Sequence, residues 1–314
     1  MIKLQNVTAG YSTGRANTHN TIHGTRRGNR NGTERDTNMV LHDIDLNVNT
    51  GEFIALIGPN GSGKSTLLKA MSGQLPISGG TVCLQGKPLG EYKPIGEYLP
   101  IGAYSPRERA LSISYFPQSR PTPNMSVSTL VAHGRFPHLD FGHVMNANDR
   151  EIVGKAIMQT GLTELANRPL SSLSGGERQR AYLAMLIAQE TDILLLDEPG
   201  AFLDIRHQLE LMDILRQQNN CGKAIIFAAH DLPLAFSYAM RIVLMENGRI
   251  IDDAPPESIS GGTSLERVFG MRLRRQDDDS LFNYILTRCE PDALTNDALI
   301  NTEPHQLRYG SRLY

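Results

Sequence analysis

The sequence predicts an α/β fold organised round a buried parallel sheet. Two stretches, Ile193-Leu-Leu-Leu196 and Ala224-Ile-Ile-Phe-Ala-Ala229, are apolar at every position, as expected of strands covered on both faces. A third short strand, Phe53-Ile-Ala-Leu-Ile57, runs into Gly58-Pro-Asn-Gly-Ser-Gly-Lys-Ser-Thr66, and Leu67-Leu-Lys-Ala-Met71 then reads as a helix. That strand–loop–helix order matches the phosphate-binding pattern G-x-x-x-x-G-K-[ST] at Gly58, Gly63, Lys64 and Ser65. Glycines let backbone N–H groups curl round an anion, and the helix N-terminus adds the positive end of its dipole. Lys64 is placed to reach the β- and γ-phosphates, and the Ser65 hydroxyl to ligate Mg²⁺. A Gly-rich turn that merely fits the pattern would not need the strand before it and the helix after it. Alone, the loop indicates a nucleoside triphosphate and no particular use for it.

The other elements follow in order. Ile2 to Val7 alternates as a strand and ends at Thr8-Ala-Gly-Tyr11. From Ser12 to Asn38 the composition turns to Thr, Asn, Arg, Gly and His, which buries too little to offset ordering entropy and predicts a mobile loop. Its five arginines against Glu34 and Asp36 leave two readings, a solvated insertion or a phosphate contact, and composition favours the first. Val40 to Val48 is a second strand; after the loop helix, Ser78-Gly-Gly80 is read as a turn into the strand Thr81–Gln85, with Gly86-Lys-Pro88 closing a hairpin. A repeat with a period of six then begins at Gly90, Gly96 and Gly102 and runs to Arg107. It is too short for a solenoid and predicts a surface insertion made of turns, with proline blocking regular structure. A tyrosine-lined binding patch is the alternative. Ser112 to Phe116 is a strand, Val127–Gly134 and Arg150–Thr160 are helices, and His207–Asn219 is a further helix. Leu232–Ala239 is helical, Arg241–Glu246 and Arg249–Asp253 form a hairpin through Asn247-Gly248, and Met271–Arg275 and Leu281–Thr287 are short strand candidates. No function is readable from there to Tyr314.

Composition narrows the classes. With 314 residues, 40% hydrophobic and 20% charged, the chain has enough material for a sizeable core in one large or two ordinary domains. A formal net charge of -2 supplies no field that would favour nucleic acid. Cys83, Cys221 and Cys289 fall at no metal or redox spacing and read as reduced core thiols of a cytosolic protein. His133, His138 and His143, five residues apart and without a neighbouring cysteine, are not a ligand pattern. The N-terminus lacks the apolar core of a signal peptide, and no apolar run approaches the roughly 20 residues of a spanning helix. A membrane role must therefore come through a partner.

Leu173-Ser-Gly-Gly-Glu-Arg-Gln-Arg180 opens a helix with Ser174 as N-cap, and its glycine pair allows close approach of an anion: a second anion site in the same chain. The apolar strands deliver Asp197 and Glu198, and then His230 and Asp231, at their carboxyl ends, where α/β sheets place chemistry. Taken singly, Asp197 reads equally as a buried structural carboxylate and His230 as an ordinary strand-end histidine.

Together these stretches resemble the nucleotide-binding subunit of an ABC transporter. The glycine loop is shared with many NTPases, but Leu-Ser-Gly-Gly-Glu followed by Leu-Leu-Leu-Asp-Glu-Pro is specific to that family. The resemblance runs from Ile2 to about Gly270, the two insertions (12–38 and 90–107) excepted, and leaves residues 271–314 as a C-terminal extension. It implies a P-loop NTPase (RecA-like) core with an antiparallel β subdomain and an inserted helical subdomain at about residues 119–172. It further implies that ATP is held by Gly58, Pro59, Asn60, Gly61, Ser62, Gly63, Lys64, Ser65 and Thr66, with Tyr11 stacking on the adenine. Ser65, Gln118 and Asp197 would ligate Mg²⁺. Glu198 would polarise the attacking water, Gln118 would touch that water and the metal and sense the transport partner, and His230 would hold the γ-phosphate. Ser174, Gly175, Gly176 and Glu177 would serve the nucleotide of an opposite subunit in a head-to-tail homodimer, with Asp204 communicating across it. Phosphoryl transfer asks for such a set of cations and donors placed round the γ-phosphate, with an oriented water.

His133-Gly-Arg-Phe-Pro-His138, Asp204-Ile-Arg-His-Gln208 and Leu265-Glu-Arg-Val-Phe-Gly270 resemble more narrowly the ATPases of ferric siderophore, haem and cobalamin importers. The expected partners are a membrane permease that receives residues 119–172 on the cytoplasmic face of the membrane, and a substrate-binding protein. Gly200 stands where these ATPases more often carry Thr or Ser, which is expected to loosen the turn without removing a phosphate ligand. The competing readings are another cargo, a soluble ABC ATPase acting on nucleic acid or ribosomes, and a catalytically silent nucleotide-binding module. One set of motifs, no sustained heptads and no basic excess speak against the second of these, and intact Lys64, Asp197, Glu198 and His230 against the third.

Overall fold

The computed structural model describes residues 1–12, 37–85, 98–139, 144–275 and 284–288. In chain order, β1 (Ile2–Ser12) and β2 (Thr37–Val48) precede β3 (Phe53–Ile57), the glycine loop and α1 (Lys64–Met71). Then come β4 (Ile77–Gln85), β5 (Tyr98–Pro100), α2 (Pro106–Ser112), β6 (Ile113–Phe116), α3 (Val127–Ala132), α4 (Ala147–Gln159) and α5 (Gly175–Ala188). The second half alternates β7 (Ile193–Asp197), α6 (Ile205–Asn220), β8 (Ala224–Ala228), α7 (Leu232–Tyr238), β9 (Arg241–Glu246) and β10 (Arg249–Ala254). It closes with α8 (Pro256–Ser260), α9 (Ser264–Phe269), β11 (Met271–Arg275) and β12 (Tyr284–Arg288).

Among the described residues the strands form three sheets. The central one has the order β10-β9-β3-β8-β7-β6, parallel from β9 to β6, with β10 added antiparallel at one edge. The Asn247-Gly248 turn that adds it has φ of 48° and 73°, the positive pair a two-residue hairpin requires. An antiparallel sheet of order β2-β1-β4-β5 stands beside it, and β11 pairs with β12. The fold is the P-loop NTPase core with an antiparallel β unit and a helical unit.

The wholly apolar strands are explained by two cores, one on each face of the central sheet. Phe53, Ala55 and Ile57 of β3 join Leu194 and Leu196 of β7 and Phe227 of β8 in one core, with α3, α4, α5, α6 and α7. The alternate residues, Ile54, Leu56, Leu195 and Ile226, point into the other, with α1 and the antiparallel sheet.

Four expectations are corrected. Cys83 is half-buried and Cys221 exposed, so neither is a core thiol. Ser78-Gly-Gly80 is not a turn but part of β4: Gly80 lies so close to β1 that an added Cβ would stand 2.2 Å from the Asn6 carbonyl oxygen. The first strand runs on past Val7 to Ser12, paired with β2 as far as Thr37 and bent by register shifts, so the ends of the expected 12–38 loop belong to strands. The rest of that loop lies outside the described residues, as do Gly86-Lys-Pro88, the first repeat unit, Cys289 and the tail. Nor are the last repeat units only turns: Tyr98–Pro100 pairs with β4, and Pro106 is the first residue of α2, where its fixed φ helps and its missing N–H costs nothing. Ser105 and Glu108 cap that helix reciprocally.

Candidate functional site

The order β9-β3-β8-β7 puts the carboxyl ends of three strands side by side, so residues far apart in sequence meet there: the glycine loop, Asp197 with Glu198, and His230. The loop needs its glycines for space and for backbone angle. An added Cβ at Gly58 would lie 2.2 Å from the Met245 carbonyl oxygen, and Gly63 has a φ of 101°. Lys64 is the first residue of α1 and is buried; its Nζ donates to the carbonyl oxygens of Gly58 at 2.7 Å and Pro59 at 3.1 Å. Burial lowers the pKa of this ammonium, while the charges of Glu198 and then Asp197 oppose that effect. Val40, Asn60, Gly61, Ser62, Gly63, Ser65, Thr66 and Glu198 line the same pocket. Tyr11 stands at its rim, its hydroxyl 3.5 Å from Thr66 Oγ1 and its ring 5.8 Å from Lys69 Nζ.

Asp197 is 2% exposed at the end of β7. Its Oδ1 accepts from the Ser65 hydroxyl at 2.8 Å and its Oδ2 from the Tyr115 hydroxyl at 3.3 Å. Burial raises the carboxyl pKa and the neighbouring Glu198 adds to the rise, against these hydrogen bonds. Hard oxygen donors from a P-loop hydroxyl and a strand-end carboxylate suit Mg²⁺, so the residues present fit that ion.

Glu198 occupies left-handed backbone space with φ of 50°, which turns its side chain back over the site. The carboxylate is held from both sides: Gln118 Nε2 donates to Oε2 at 2.5 Å, and His230 Nε2 pairs with Oε1. Three residues proposed from separate motifs thus form one contiguous set. In the turn beyond it, the Gly200 carbonyl accepts from Leu203 N and from the Gln208 side chain, both at 3.2 Å.

The second predicted anion site forms at a different place. Ser174 caps α5 and exchanges hydrogen bonds with Glu177, which hold the Glu177 carboxyl pKa down. Asp204 caps α6 and binds His207 Nδ1 at 2.8 Å. The imidazole of His207 lies against Gly176, where an added Cβ would meet it at 2.7 Å. Ser174, Gly175, Gly176, Glu177 and Asp204 are therefore neighbours, yet none of them lines the P-loop pocket.

Sequence reasoning missed Tyr115 and His207. Tyr115 reaches Asp197 because β6 lies beside β7, which no local motif marks; His207 stands in the Asp204–Gln208 stretch, but its approach to Gly176 spans a gap in sequence. The His133–His138 stretch is structural in its own right. Arg135 is buried and forms an ion pair with Asp149 at 3.0 Å, and His138 binds the Gln189 carbonyl oxygen at 2.8 Å. Burial alone would raise the Asp149 carboxyl; the Asn146 N–H and Arg135 outweigh it and hold the pKa below its usual value. His143 lies outside the described residues.

The fold and the paired carboxylates beside a P-loop define an ATP-hydrolysing cassette. The chain belongs to the ABC transporter family, whose model matches residues 41–201. It is 37% identical over 241 residues to the ferric enterobactin transport ATP-binding protein FepC of Escherichia coli, across 76% of this chain and 84% of that protein. It is 38% identical over 231 residues to the hemin import ATP-binding protein HmuV of Streptomyces coelicolor, across 73% and 78% respectively. Among solved structures, the dimeric ATP-binding cassette MJ0796 bound to ADP and Pi superposes with a TM-score of 0.63 at 23% identity, covering 82% of this chain and 99% of that one.

Proposed function

We infer that this chain is the ATP-hydrolysing subunit of an importer for iron chelates, siderophore or haem, or for the related cobalamin, driving uptake through a membrane permease. The observation that carries the catalytic part is Glu198, aimed by Gln118 and His230 beside Lys64 and Asp197. Lys64 and the loop amides hold the phosphates, and Tyr11 receives the adenine. Ser65, Asp197 and Gln118 hold Mg²⁺, which when bound neutralises charge on the phosphate oxygens. Glu198 orients the attacking water and accepts its proton, while His230 meets the γ-phosphate. Ser174–Glu177 and Asp204 serve the nucleotide of a second copy, so two chains close head to tail over two ATP molecules and reopen after hydrolysis.

The importer reading is supported by relatives that are named as enterobactin and hemin transport subunits. Residues 119–172, which this reading assigns to the permease contact, carry exposed apolar side chains: Val144 and Met158 are 80% and 64% exposed. Among the described residues no helix is long and apolar enough to cross a membrane. In this reading the chain sits on the cytoplasmic face of the membrane, bound through the permease, with a substrate-binding protein delivering cargo. Uptake of iron-labelled siderophore by cells carrying wild type or Glu198→Gln tests this reading, and loss of uptake in the variant is expected. Unchanged uptake with a permease still bound would discard the iron cargo; unchanged uptake with none bound would discard the importer.

A further inference from the structure

Two residues beyond Gln118, a half-buried cation lies in an unusual setting. The Arg120 guanidinium carbon lies 3.8 Å from the centroid of the Phe116 ring and 5.5 Å from that of Tyr182. Burial lowers its pKa to about 10, with Arg178 adding to the fall and Tyr182 opposing it, so it stays charged at neutral pH. No carboxylate pairs with it among the described residues, and its Nη1 is buried without a hydrogen-bond partner. Its one hydrogen bond there runs from Nη2 to Oε1 of Gln179, on α5 two residues past Glu177.

Gln179 is 7% exposed, and its Nε2 donates to the carbonyl oxygen of Pro199, next to Glu198. The amide can sit only this way round, because a guanidinium only donates and a carbonyl only accepts. One side chain therefore joins three segments: the loop of Gln118, the helix opened by Ser174, and the turn that holds Glu198 in left-handed space. Holding a guanidinium half-buried, with Nη1 unbonded and no counter-charge among the described residues, costs stability. The bridge lies along a cleft that Gln118, Gly175 and Phe202 also line, so the three segments meet there.

The geometry points to Gln179, held by Arg120, as a positioning residue for ATP hydrolysis: it ties the turn of Glu198 to the signature helix and to the loop of Gln118, so that either segment, when it shifts, re-aims the carboxylate. This rests on the reading of Glu198 as the water-orienting group. A misplacement of about 1 Å costs on the order of 100-fold in rate, and that sets the scale of the effect.

The test is steady-state ATPase kinetics of full-length Gln179→Glu and Gln179→Leu, with Glu198→Gln alongside. Gln179→Glu keeps the volume and the contact with Arg120 but turns a donor to Pro199 into a repelling acceptor. The expectation is a fall in kcat of about 10–100-fold in both variants, with KM for ATP within about twofold of wild type and, for Gln179→Glu, an unchanged melting temperature. If Gln179→Glu turns over at the wild-type rate, or loses rate only as KM rises or as the fold melts, the bridge has no positioning role. If Glu198→Gln keeps wild-type turnover, it is the underlying reading of Glu198 that fails. Should Gln179→Leu not fold, Gln179→Glu decides the matter alone.

Discussion

The two anion-binding ends of this molecule are built to different degrees of completion. At the P-loop, Lys64 and Asp197 are 5% and 2% exposed, and Ser65 and Asp197 already bind each other. At the signature end, the Ser174 and Glu177 side chains bond each other's backbone N–H, and the Asp204 side chain is 65% exposed. The first end is a site finished within one subunit. The second is a capped helix start presented outward. On the function proposed above, pre-organisation inside the fold fixes where the nucleotide sits, and the exposed end waits for a second copy.

That division is open to test. The largest effect is expected from Glu198→Gln: turnover falls by about 10²- to 10⁴-fold, the range of general-base catalysis, while ATP still binds and a nucleotide-dependent dimer accumulates in gel filtration. Turnover that survives would remove Glu198 from its role. Lys64→Ala removes a charge-assisted contact worth about 1.5–3 kcal/mol, so ATP affinity of the isolated subunit is expected to weaken about 10- to 100-fold by calorimetric titration. Ser174→Ala loses a helix cap, about 1 kcal/mol of stability, and is expected to lower turnover while leaving that monomer affinity alone. Equal losses of affinity in the Lys64 and Ser174 variants would erase the distinction between the two ends.

The smallest effect is on stability. The Asp197 carboxyl has a folded pKa raised above its unfolded value, chiefly by burial, so folding favours its neutral form. The stabilisation this provides is complete below the unfolded carboxylate range and is lost as pH rises through the folded value. At neutral pH Asp197→Asn should therefore melt higher than wild type in thermal denaturation, the gap narrowing as pH falls into the carboxylate range. A lower melting temperature at neutral pH would mean that the hydrogen bonds from Ser65 and Tyr115 outweigh the desolvation.

What was legible in the sequence was what local chemistry dictates. Gly58–Thr66, Ser174 as a cap, Asn247-Gly248 as a hairpin turn and the unbroken apolarity of Ile193–Leu196 each carry their reason within a few residues. The errors fall where the reason is remote. Gly80 reads as turn punctuation, but its φ of 74° and missing side chain serve a close approach to β1, a strand more than seventy residues earlier. Pro106 reads as a breaker until Ser105 is seen to cap a helix that it begins. Tyr115 and His207 reach Asp197 and Gly176 only because strand order and helix packing bring them there.

The hairpin β11–β12, expected from the sequence to belong to a C-terminal extension, seals part of the larger core. Leu273 and Tyr284 are 3% and 6% exposed, and the Tyr284 ring sits 5.3 Å from that of Phe236 on α7, the helix that starts two residues after His230. A chain shortened at Gly270 would therefore leave a wet, weakened wall behind a site residue it had not altered.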